Sequence, residues 1–131
     1  LQNSALQVGN KFVNIPSMRD ARQISWLKAA RRDFEGFPGD VQSDMLDALT
    51  LAAEGQHSGK AKPLKGVDGG VFEIALRHRG DAFRAIYAVK IDVDIWVIHA
   101  FQKKSKTGVK TPKMDVGLIR ERLKRLKDAL T

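Results

Sequence analysis

The chain has 131 residues, with 23 Lys+Arg against 15 Asp+Glu, a formal charge of +8 and 43% hydrophobic residues. That length suits one domain whose core removes roughly two-thirds of the unfolded surface from water, and the balance excludes wholesale disorder. No apolar run approaches the ~20 residues that span a bilayer, and the lack of cysteine excludes disulfides, thiolate nucleophiles and Cys-ligated zinc.

The charge is uneven. Residues 1–59 hold 6 basic and 7 acidic residues, while residues 60–131 hold 17 and 8. A concentrated positive field attracts polyanions and speeds encounter with them. The three histidines, His57, His78 and His99, lie far apart and form no metal-ligand spacing. No metal or cofactor is expected.

Residues 1–17 are polar and broken by Gly9, Asn10, Asn14 and Pro16. They read as a leader, tag remnant or flexible arm, with a single domain over 18–131. Residues 22–26 suggest a short first strand. Leu27, Ala30 and Phe34 then recur at helical spacing up to Gly36. A turn at Pro38-Gly39-Asp40, with Asp40 as N-cap, opens a second helix striped by Val41, Met45, Leu49 and Ala52 and closed by Gly55.

The middle reads as strands. Residues 62–64 are a short one. Phe72, Ile74 and Leu76 alternate with Glu73, Ala75 and Arg77. A Gly-Asp turn in 78–81 leads to Phe83, Ala85, Tyr87 and Val89 alternating with Arg84, Ile86, Ala88 and Lys90. After a turn at 92–94, residues 95–101 are nearly all apolar, as a strand buried on both faces should be. Residues 103–113 form a basic loop, with Lys103, Lys104, Lys106, Lys110 and Lys113. Thr111-Pro112 then starts a last helix, Thr111 as N-cap, with a stripe of Ile119, Leu123, Leu126 and Leu130. The sum is an α+β domain: two N-terminal helices, a three- or four-stranded antiparallel meander and a C-terminal helix, with the helices on one sheet face.

The other sheet face is then expected to be basic and open. Alternation puts Glu73 and Arg77 on it from one strand and Arg84 from the next. Unbroken alternation places His99 with Val97, Phe101 and Lys103, on the side that faces substrate. Such a face suits RNA cleavage by the 2′-hydroxyl. Arg and Lys supply charge to the phosphorane, a His of reference pKa ~6.5 shuttles the proton, and an aromatic stacks an unpaired base. Each group also has a plainer reading. His99 is equally a satisfied core residue, Phe101 a core ring, Arg77 and Arg84 surface charges, and Glu73 the neutraliser of Arg77.

Phe72-Glu73-Ile74, Phe83-Arg84-Ala85-Ile86-Tyr87, His99-Ala100-Phe101-Gln102-Lys103-Lys104 and Lys110-Thr111-Pro112-Lys113 resemble the HigB-like, phage-derived branch of the RelE/ParE toxin superfamily. The resemblance covers residues 18–130, and the run from 99 to 113 is its most specific part. Ala75 departs from it, since members often carry Arg two residues after the Glu; the stretch between Lys104 and Lys110 is longer than usual. The resemblance implies a RelE-like fold and a cytoplasmic bacterial toxin that cuts mRNA on the ribosome and is held inactive by a cognate antitoxin of helix-turn-helix type. Arg84, His99 and Lys103 are then expected in catalysis, and Arg77, Phe101, Lys104 and Lys106 in holding RNA. Two other readings stand beside it: a ParE-like inhibitor of DNA gyrase, and a non-toxic nucleic-acid-binding accessory protein. The run His99–Lys103–Lys104 favours the nuclease, because a binder needs no proton shuttle.

Overall fold

The computed structural model describes residues 7–8, 11–12, 21–103 and 111–130. In chain order the elements are β1 (Gln7–Val8), β2 (Lys11–Phe12), β3 (Ile24–Trp26), α1 (Lys28–Glu35), α2 (Gly39–Ala53), β4 (Ala61–Pro63), β5 (Val71–His78), β6 (Asp81–Ala88), β7 (Ile95–Lys103) and α3 (Lys113–Leu130). Within the stretch read as an arm, β1 and β2 pair antiparallel; the rest of 1–20 lies outside the described residues.

The main sheet has the order β3-β7-β6-β5-β4. Strands β4 to β7 form the expected antiparallel meander. The sheet is larger than that meander, because β3 joins its far edge parallel to β7, pairing Ile24 with Ile95 and Trp26 with Val97. A parallel neighbour requires a long return connection, here everything from α1 to β6. Arg22 fastens this edge. Its Nη2 donates to the carbonyls of Val89, Asp92 and Asp94 at 2.7, 3.0 and 3.1 Å, and its Nε donates to that of Val93 at 2.7 Å.

The β5–β6 hairpin turns on Arg79-Gly80, with φ of 52° and 87°. Two consecutive residues at positive φ match the right-handed strand twist, which is why a two-residue loop suffices. Neither helix starts on its expected cap: the residue before α2 lies two positions earlier than Asp40, and the residue before α3 one position later than Thr111. Pro38 precedes α2, which puts Asp40 in the first turn, where a carboxylate favours the helix dipole. Pro112 precedes α3, so Thr111 is released from capping for another bond.

The helices do not share one sheet face. α1 and α2 lay Ala30, Phe34, Val41, Met45, Leu49 and Ala52 on the face of Ile74, Phe83, Ala85, Tyr87 and Val97. α3 lays Ile119, Leu123 and Leu126 on the opposite face, against Val71, Ile86, Ala88 and Ile98; Leu130, the last of its stripe, is exposed. The reason lies in the sheet. Ile86, Ile98 and Val71 make a second apolar patch that a one-sided packing would leave in water. The face expected to be open is therefore partly roofed by α3, and the candidate site residues lie beside the N-terminal part of that roof.

Candidate functional site

The register of the three long strands fixes which side chains share the α3 face. Ala75 pairs with Arg84 and Arg84 with Phe101; Glu73 pairs with Ile86 and Ile86 with His99; Arg77 pairs with Ala82 and Ala82 with Lys103. Arg84 thus stands at the centre of a lattice, with Glu73 and Arg77 diagonal to it on one strand and His99 and Lys103 on the other. Alternation does break, by a bulge at Ile98 between the pairs Tyr87–Val97 and Ile86–His99. The extra residue turns Val97 to the opposite face but precedes His99, so His99, Phe101 and Lys103 stay together as expected.

Arg84 is not a surface charge. It is 4% exposed, Glu73 is 1% exposed, and Arg84 Nη1 donates to Glu73 Oε2 at 3.1 Å. The same carboxylate oxygen accepts the hydroxyl of Thr111. Glu73 therefore neutralises Arg84 and not Arg77, which is exposed. A pair removed from water holds one geometry, because each charge loses several kcal/mol of hydration that only its partner restores.

His99 is on the expected face but not at the surface, being 5% exposed under α3. Its Nε2 lies 2.8 Å from Asp115 Oδ1 and its Nδ1 lies 3.0 Å from Arg122 Nη1. A guanidinium only donates, so Nδ1 accepts. The proton then sits on Nε2 and is donated to Asp115. Arg122 Nη1 also donates to the carbonyl of Ile98 at 3.1 Å, which ties the bulge to the same helix. The open exposure expected of a proton shuttle is corrected: both ring nitrogens are engaged, and His99 joins β7 to α3.

Phe101 is half-buried and stacks on His99 with centroids 5.0 Å apart and planes at 22°. Lys103 is half-buried at the end of β7. Lys104 and Lys106 lie outside the described residues. The structure thus brings Arg84, His99, Phe101, Lys103 and Arg77 to one face, moves the expected partnership of Glu73 from Arg77 to Arg84, and adds Thr111, Asp115 and Arg122, which the sequence reading gave no role at this site. Asp115 and Arg122 are separated by seven residues, two helical turns, which puts them on one side of α3; that spacing was the available signal. Among the described residues no group of three or more His, Asp or Glu side chains is placed to hold a metal ion.

On the other face a second His contact is structural. His57 Nδ1 lies 2.9 Å from the Tyr87 hydroxyl, and His57 stacks on Phe72 with centroids 4.1 Å apart. Burial pushes the Tyr87 phenol up to about 12. At the surface, the hydrogen bond and charge of Lys127 hold the Asp68 carboxyl below its ordinary range.

Residues 32–124 match the family described as Phage derived protein Gp49-like (DUF891). No curated protein matches the chain. Among solved structures, a mutant of the E. coli toxin RelE in the free state superposes with a TM-score of 0.56 at 16% identity, over 78% of this chain and 96% of that one. The toxin–antitoxin complex RelBE2 from Mycobacterium tuberculosis gives 0.46 at 16% identity, over 65% and 94%. The first of these carries the same fold at an identity too low to speak of more. With the family match running from α1 well into α3, the chain belongs to the Phage derived protein Gp49-like family.

Proposed function

We propose that the protein is the toxin of a bacterial type II toxin–antitoxin pair and acts as an endoribonuclease on mRNA, on the ribosome in the cytoplasm. The observation that carries this reading is the register that puts Arg84, Phe101, His99, Lys103 and Arg77 on one face of a RelE-like sheet. The chemistry asked of them is attack of a ribose 2′-oxygen on the adjacent phosphorus. The O2′–P bond forms, the P–O5′ bond breaks, one proton leaves the 2′-hydroxyl and one reaches the 5′-oxygen. Glu73 and Thr111 hold Arg84 in one orientation, so its charge is arranged before the phosphorane forms and costs no reorganisation then. Lys103 and Arg77, one row further from α3, meet the phosphates. Phe101 supplies the ring for an unpaired base. Proton transfer through His99 requires its Asp115 contact to open, because both nitrogens are otherwise occupied. In the closed arrangement His99 and Asp115 keep the start of α3 on the sheet.

Induced expression without a partner, followed by primer extension on a reporter mRNA, tests the reading. Growth arrest with new mRNA 5′ ends is expected. Normal growth at confirmed expression refutes it, and intact mRNA with inhibited supercoiling transfers the protein to the gyrase inhibitors.

A further inference from the structure

A groove runs between α3 and residues 62–68. It has two compartments of about 540 Å³ each that share Gly66. Arg120 divides them by reaching across from α3 to donate to the Gly66 carbonyl at 2.7 Å. The first compartment has a floor of Pro63, Leu64 and Val116 and a rim of Lys62 and Lys65. The second has a floor of Val67 and Leu123 and a rim of Arg120, Lys124 and Lys127. On α3 the groove residues Val116, Arg120, Leu123, Lys124 and Lys127 recur at helical spacing, so one side of the helix supplies them.

The two carboxylates along this groove are already engaged. Glu73 belongs to Arg84 and Thr111, and Asp68 belongs to Lys127. Lys62, Lys65 and Lys124 have no carboxylate partner among the described residues. Cations without a carboxylate partner among the described residues, set around an aliphatic floor, call for an anionic ligand that also brings apolar groups. Single-stranded RNA is the weaker match. Its bases gain their binding energy on aromatic rings, and no aromatic residue lines either compartment. An amphipathic peptide places aliphatic side chains on the floor and carboxylates on the rim.

We infer that this groove docks an acidic amphipathic segment of a partner protein, with one apolar anchor in each compartment and carboxylates on Lys62, Lys65, Arg120 and Lys124. The inference rests on the toxin reading only in naming the partner, which would then be the antitoxin. The groove ends at Glu73 and Thr111, so the docked segment abuts the side chains that orient Arg84. Regulation and catalysis would meet at that carboxylate.

The test is amide NMR of the full chain titrated with three probes of equal net charge: a synthetic peptide with Glu and Leu at helical spacing, oligoglutamate, and oligouridylate. The amphipathic peptide should shift residues 62–68 and 116–127 and bind at least about tenfold more tightly than oligoglutamate. Its affinity should fall with added salt, and by about tenfold in each of Lys62→Glu and Lys124→Glu. These exposed changes should leave the melting temperature in place, so loss of binding is not loss of fold. Oligouridylate binding these amides more tightly than the peptide would overturn the inference in favour of an RNA channel. Peptide shifts elsewhere, or none, would also overturn it. Because no readout involves RNA cleavage, failure here is distinct from failure of the toxin reading.

Discussion

Removing Glu73 is the sharpest perturbation of the buried layer. Arg84 and Glu73 have side chains only 5% and 1% exposed and meet at 3.1 Å, so Glu73→Ala leaves the guanidinium in a dry interface without its carboxylate. Breaking a buried pair from one side costs ~3–5 kcal/mol, most of it desolvation that is no longer offset. For a chain of this length each kcal/mol moves the melting temperature by roughly 3–5 °C, so the expected drop is on the order of 10–20 °C. The assay is urea and thermal unfolding of wild type, Glu73→Ala and the double variant Glu73→Leu with Arg84→Met. Replacing both charges by apolar groups of similar volume is often neutral, so the double variant should recover most of the loss. It should still fail to cleave RNA, because the oriented positive charge is gone. A Glu73→Ala protein within ~1 kcal/mol of wild type, or a double variant no more stable than the single, would refute a buried pair.

The sheet–helix junction gives a second test: in a cycle of His99→Gln and Arg122→Met, unfolding free energies should show a coupling of ~0.5–3 kcal/mol, and additivity would mean that the two do not touch. Tyr87 is the sole tyrosine, so ultraviolet titration reads it alone. With its phenol raised to about 12, the folded chain keeps a proton that the unfolded chain releases above about 10, and stability should decline as pH rises through that window; a phenolate signal near pH 10 in folded protein would contradict its burial. The Asp68 carboxyl should titrate below the ordinary carboxylate range by NMR and return toward it in Lys127→Met; an unchanged midpoint would show that Lys127 is not its cause.

Much of the fold is visible in the chain because one face of each element repeats at its own period. Val41, Met45, Leu49 and Ala52 specify α2, and Phe72, Ile74 and Leu76 specify β5, without reference to anything distant. The side on which α3 lies is not written in its own stripe, since Ile119, Leu123 and Leu126 would fit either sheet face. The sign of it was in β7, whose residues 95–101 are apolar on both faces and so need cover on both. The bulge at Ile98 leaves no mark in the sequence, and it kept His99 with Lys103 only because it falls before both. At the site, the residue types and their shared face were legible. The pairings were not. Glu73 is four residues from Arg77 and eleven from Arg84, yet diagonal placement and burial select Arg84. The partners of His99 lie 16 and 23 residues away on another element, so only packing shows that the imidazole is held and not open to solvent.

RNA cutting by this basic face is the proposal on which the rest depends. The most direct measurement adds purified protein to a translation extract programmed with a single mRNA and maps the new RNA ends, for wild type and for Lys103→Ala. Defined cuts that leave 2′,3′-cyclic phosphate are expected, reduced ~10²–10³-fold in Lys103→Ala with its melting temperature unchanged. Intact mRNA at protein concentrations that arrest growth, or cutting by Lys103→Ala at the wild-type rate, would contradict it.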